Sequence, residues 1–129
     1  MSFDIFVIIA DPGIPAGMLR KLFGLKQEGA PDSSDEWPLQ DCALRLTKGA
    51  ENNVTHISVH RPTGDEVLWN GLFAVVRRGD AVFFFPSDHL IPVVSDPAAV
   101  GMMPEAMRES FGQPHIVHSA QQLMDSLDL

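Results

Sequence analysis

Asn53-Val54-Thr55-His56-Ile57-Ser58-Val59-His60 alternates strictly between the two sides of an extended chain. Thr55, Ile57 and Val59 fall on one side; Val54, His56, Ser58 and His60 fall on the other. A period of two is the signature of a β-strand, here with one apolar face and one mixed face that carries two imidazoles. The residues before it, 40–47, alternate as well. Cys42, Leu44 and Leu46 point one way, and Asp41, Ala43, Arg45 and Thr47 the other. Between the two runs lie Gly49 and the Asn52-Asn53 pair, suited to a hairpin loop over residues 48–53.

Upstream of this hairpin, residues 3–10 are apolar on both faces, as in a strand covered from both sides. The run does not read as a secretory signal: no basic stretch precedes it and Asp4 interrupts it. Asp11-Pro12-Gly13 ends it, and Pro15 suits the first position of a helix. Met18, Leu19, Leu22 and Phe23 make that helix's apolar face, with Gly24 as its C-terminal cap. Residues 26–38, rich in Gly, Pro, Ser and Asp, read as a long loop.

Downstream, Thr63 and Glu66 have capping-box spacing. Leu68, Trp69, Leu72, Phe73, Val75 and Val76 give the next helix a broad apolar face, which Arg77-Arg78-Gly79 ends. Residues 81–85 form a second doubly apolar strand, stopped by Pro86. Strand, helix, strand, strand, helix, strand is the ferredoxin-like split βαβ order, βαββαβ, in the α+β class. A C-terminal strand and helix extension follows. It comprises a strand over 91–94, a helix over 104–111, a strand over 115–118, and a last helix opened by the Ser119–Gln122 capping pattern. The alternative is a mixed sheet in which the C-terminal strand joins the same layer. With no internal repeat and no boundary, residues 1–129 read as a single globular domain.

Composition narrows the partners. Seventeen Asp and Glu against nine Lys and Arg give a formal net charge of -8. Glu28, Asp32, Asp35, Glu36 and Asp41 lie in one stretch without a Lys or Arg, and the basic residues cluster no further than Arg20-Lys21 and Arg77-Arg78. Nucleic acid and anionic membranes need a positive surface, so neither fits; a basic protein partner does. No apolar run reaches the ~18 residues of a membrane-spanning helix. The single cysteine, Cys42, excludes an internal disulfide and a cysteine-based zinc cage, and suits a reducing cytoplasm.

The candidate chemistry sits on the hairpin. On a strand, His56 and His60 are separated by about 13 Å, too far to share a metal ion. No cofactor motif is present either: residues 11–17 lack the Lys and Ser/Thr of a phosphate-binding loop, and two prolines remove backbone donors. A loop over 48–53 sets Thr47 opposite Val54, Arg45 opposite His56 and Asp41 opposite His60, each pair ~5 Å apart. A carboxylate beside an imidazole is an arrangement for general acid-base chemistry, which makes Asp41, His56 and His60 the catalytic candidates if the chain is an enzyme. Ser58 is the nucleophile nearby, without an elbow motif around it. A solvated sheet face with cross-strand polar pairs accounts for the same residues without catalysis.

Trp37 stands among the acids of the loop, where it either tucks into the body or projects as a partner contact. The expected function is therefore that of a small acidic cytoplasmic binding or regulatory protein acting on a protein partner, with Asp32, Asp35, Glu36 and Trp37 as the binding residues. An immunity-type inhibitor fits that description. Because the doubly apolar strands need cover on both faces, the C-terminal segment or a second subunit in a homodimer must supply it. The alternative function is a small enzyme or small-molecule-binding protein using Asp41, His56 and His60.

Overall fold

The computed structural model describes residues 4–25, 36–39, 42–63, 65–84 and 91–126. The elements run β1 (Asp4–Ile9), α1 (Ala16–Leu22), β2 (Glu36–Pro38), β3 (Ala43–Lys48), a 3-10 turn (Ala50–Asn52), β4 (Val54–His60), α2 (Glu66–Arg77), β5 (Ala81–Phe84), β6 (Val93–Val94), α3 (Ala98–Gly101), α4 (Glu105–Arg108), β7 (His115–Ile116) and α5 (Ala120–Asp125). The strands form one sheet in the order β2-β3-β4-β1-β5-β6-β7. Every neighbouring pair is antiparallel except β6–β7. The architecture is a mixed α+β open sheet with helices.

This order differs from that of a four-stranded split βαβ. β2 is added outside β3, and β6 and β7 continue the sheet beyond β5. The additions have physical causes. Residues 36–38 are a strand rather than a loop because Trp37 needs burial, and pairing with β3 points its side chain inward between exposed Glu36 and Pro38. Pro38 is tolerated because this is an edge strand. The strand expected over 91–94 forms at Val93 and Val94, both buried.

β1 and β5 are adjacent, with Val7 opposite Phe83. On one face of the sheet, Ile5, Val7, Ile57, Val59, Leu44 and Phe83 pack against Leu19 and Phe23 of the α1 end, the apolar stripe of α2 and Leu123 of α5. On the other face, Ile8 and Val82 are covered by Val94, Ala99 and Met103, with Phe84, Met107 and Phe111 alongside. The C-terminal segment thus covers one end of the second face. On β2, β3 and β4 the outward Glu36, Arg45, Thr47, His56 and His60 are exposed, while Ala43 and Ser58 are half-buried.

Helix ends differ in detail from the spacing-based expectation. Asp65, not Thr63, caps α2: its carboxylate accepts from the Val67 N–H at 2.8 Å. Thr63 instead offers its carbonyl to the Trp69 indole at 2.6 Å. At α5 the Ser119 hydroxyl accepts from the Gln122 N–H at 3.1 Å, while the Gln122 side chain accepts from the His118 N–H. Among the described residues, no helix is long and apolar enough to cross a membrane.

Candidate functional site on the uncovered sheet face

Strand register lines up one row of side chains across five strands: Glu36, Arg45, Ser58, Phe6 and Phe84. A second row holds Thr47, His56, Ile8 and Val82. Asp4 and His60 pair in a third. All these side chains share one face because residues two apart on a strand point the same way.

The hairpin register is corrected by one pair. Thr47 opposes His56 and Arg45 opposes Ser58, so Arg45 does not face His56 and Thr47 does not face Val54. A β-bulge between Thr47 and Lys48 absorbs an extra residue, and the connection turns through left-handed Glu51 and Asn52. Val54 is also drawn aside. It exchanges two backbone hydrogen bonds with Ile14, at 2.9 and 2.7 Å, and is buried although its parity is that of the exposed His56.

His60 takes its carboxylate from β1. Its Nδ1 lies 2.6 Å from Asp4 Oδ1, with the imidazole 65% and the carboxylate 44% exposed. The ionised carboxylate accepts at that distance, so the proton sits on Nδ1. Asp41, the partner expected from β3, lies outside the described residues, as do Asp32 and Asp35. His56 meets the Thr55 hydroxyl at 3.0 Å.

Two grooves follow the first row and share Ser58. The polar one, about 420 Å³, is lined by Asp4, Glu36, Ala43, Arg45, Ser58 and His60. Within it Arg45 Nε lies 3.6 Å from Glu36 Oε2, with the Arg45 side chain 73% exposed. The apolar one, about 280 Å³, lies against Phe6, Ile8, Thr47, His56 and Phe84. The Phe6 and Phe84 rings stack at 5.5 Å, and Phe111 continues the ladder at 6.3 Å from Phe84. A larger cavity of about 570 Å³ lies at the far edge, by Ile91, His115, Ile116, His118, Gln122 and Ser126.

Trp37 is not on this surface. Its ring is buried, with the Arg20 guanidinium 4.5 Å from its centroid. It ties β2 to α1, so of the two placements expected for it the ring takes the tucked one and acts as a structural anchor. Glu36, beside it in sequence, does reach the open face. The functional candidates absent from the sequence reading are Asp4, Phe6 and Phe84. Asp4 carried a signal: a carboxylate inside a doubly apolar strand requires a polar neighbour on the next strand.

The surface can donate and accept hydrogen bonds, form ion pairs and offer stacked rings. Among the described residues, no three His, Cys, Asp or Glu converge as metal ligands. The chain matches no family model, no curated protein and no solved structure.

Proposed function

We propose that this chain is a small acidic binding or regulatory protein that acts on a protein partner, with the uncovered sheet face as its recognition surface. The observation that carries the reading is the row Glu36–Arg45–Ser58–Phe6–Phe84, which passes from exposed charge to stacked aromatic rings. Protein interfaces are enriched in aromatic residues and Arg and rimmed by polar groups. The net charge of -8 favours encounter with a basic partner, and an immunity-type inhibitor is one role of this kind. A single cysteine fits a reducing, cytoplasmic setting.

The four strands β3-β4-β1-β5 alternate in direction, with α1 following β1 and α2 joining β4 to β5. That alternation supports reading them as a split βαβ, ferredoxin-like core inside the larger sheet.

A second reading, a small enzyme or small-molecule site, draws on the Asp4–His60 contact and the polar groove beside it. Solvent exposure of both partners weighs against it, because electrostatic catalysis needs groups held in a water-excluded site.

The test is a photo-crosslinking side chain at Thr47, on the rim of the face, with Asn70 on the exposed side of α2 as the control. In cells, Thr47 is expected to yield a cross-linked protein product and Asn70 none. Absence of any product at Thr47 sinks the reading.

A further inference from the structure

The cavity at the far edge of the sheet lies between β7 and α5 and holds about 570 Å³, within the size range of small-molecule sites. Three apart on a continuous strand, His115 and His118 would point to opposite faces. β7 instead ends at Ile116, Val117 tucks in with its N–H on the Val94 carbonyl, and both imidazoles line the cavity. Gln122 and Asp125 of α5 and Ser126 at its C-cap line it from the other side, spaced as one side of a helix.

The hydrogen bonds already made around this cavity leave it with two unlike ends. Gln122 Oε1 accepts from the His118 N–H at 2.7 Å, so the amide NH2 remains as a donor. Each imidazole keeps at least one N–H in either protonation state. One helical turn on, the Ser126 hydroxyl donates to the Leu123 carbonyl at 2.6 Å and keeps only acceptor capacity. Asp125 accepts from the Gln121 amide at 2.8 Å, and a neutral amide leaves the carboxylate its charge. Donors thus stand beside the first turn of α5, and acceptors with a negative charge beside its last. Ile91 and Ile116, each 43% exposed, and buried Val93 supply an apolar wall.

We propose that this cavity binds a free amino acid with a large apolar side chain. The α-carboxylate meets the Gln122 amide and the imidazoles, the α-ammonium meets Asp125, and the side chain lies on Ile91, Val93 and Ile116. A plain carboxylate meets Asp125 and the field of a chain of charge -8; a net-neutral zwitterion avoids both penalties. The inference is independent of the recognition reading of the open face.

Proton–nitrogen correlation NMR on the full chain, titrated with L-phenylalanine, tests it. Saturable shifts are expected at residues 115–118 and 122–126. Hydrocinnamate lacks the ammonium, phenethylamine the carboxylate and glycine the side chain, so each should bind about tenfold or more weakly. Asp125→Asn should weaken phenylalanine by a similar factor and hydrocinnamate not at all, with the circular dichroism unchanged. Absence of saturable shifts with both L-phenylalanine and L-leucine overturns the inference. So do shifts confined to the open face, a truncated probe that binds as tightly as phenylalanine, and an Asp125→Asn chain that binds phenylalanine like wild type.

Discussion

His60 shows how far a single residue's role can be read from a strand pattern. Its side of β4 follows from alternation, but its carboxylate partner depends on which strand lies next door and in what register. The neighbouring β1 supplies Asp4. Asp4→Ala should therefore move the ring ¹⁵N signals of His60 and leave those of His56 in place, because Asp4 fixes the proton on Nδ1 of His60 alone. The pair is largely solvated, so the loss of stability should stay within about 1 kcal/mol. Unchanged His60 ¹⁵N signals would show that the pair does not form in solution. Trp37 behaves in the opposite way. A lone aromatic in an acidic loop gives no direction, whereas the fold buries it under Arg20. Trp37→Ala should cost about 3–5 kcal/mol in urea denaturation. A loss under about 1 kcal/mol would mean that the ring is not a core anchor.

At the scale of elements, β1, β4, α2 and β5 were legible because each is long enough to show a period or a doubly apolar run. β2 was not, since three residues carry no period, whereas the strand expected over 91–94 is present in shortened form as β6. The β3–β4 register failed for another reason. Loop length alone does not specify a bulge, and the left-handed Glu51–Asn52 turn uses residues that give no glycine signal. The fit of α1 against α2 turns on Gly71. A Cβ placed there lies 2.0 Å from the Phe23 ring, so the glycine is a packing requirement rather than a flexible point. Helix propensity alone predicts that Gly71→Ala stabilises α2 by up to about 1 kcal/mol. Overpacking against a buried ring costs about 1–3 kcal/mol and should win, lowering the melting temperature. A raised melting temperature would show that Phe23 can move aside freely.

For the whole molecule, the question is what covers the second face of the sheet. Doubly apolar β1 and β5 demand cover, but sequence parity does not say whether the chain's own C-terminal segment or another subunit provides it. The answer is divided along the sheet. Ile8 and Val82 lie under Ala99 and Met103 of the same chain, while Phe6 is only half-buried and Glu36 and Arg45 of its row are exposed. Two adjacent methionines test this division without deleting any part of the fold. Met103 is 3% exposed in the second core cluster, whereas Met102 is 53% exposed. If the C-terminal segment is a true layer of the same domain, Met103→Ala should cost about 2–5 kcal/mol and Met102→Ala within about 0.5 kcal/mol. Both losses should appear in one cooperative unfolding transition, because Met103 shares its core with the central strands. Equal, small effects from the two substitutions would mean that the segment merely rests on the sheet. Ile8 and Val82 would then need cover from elsewhere, and the open face would extend over all of β1 and β5.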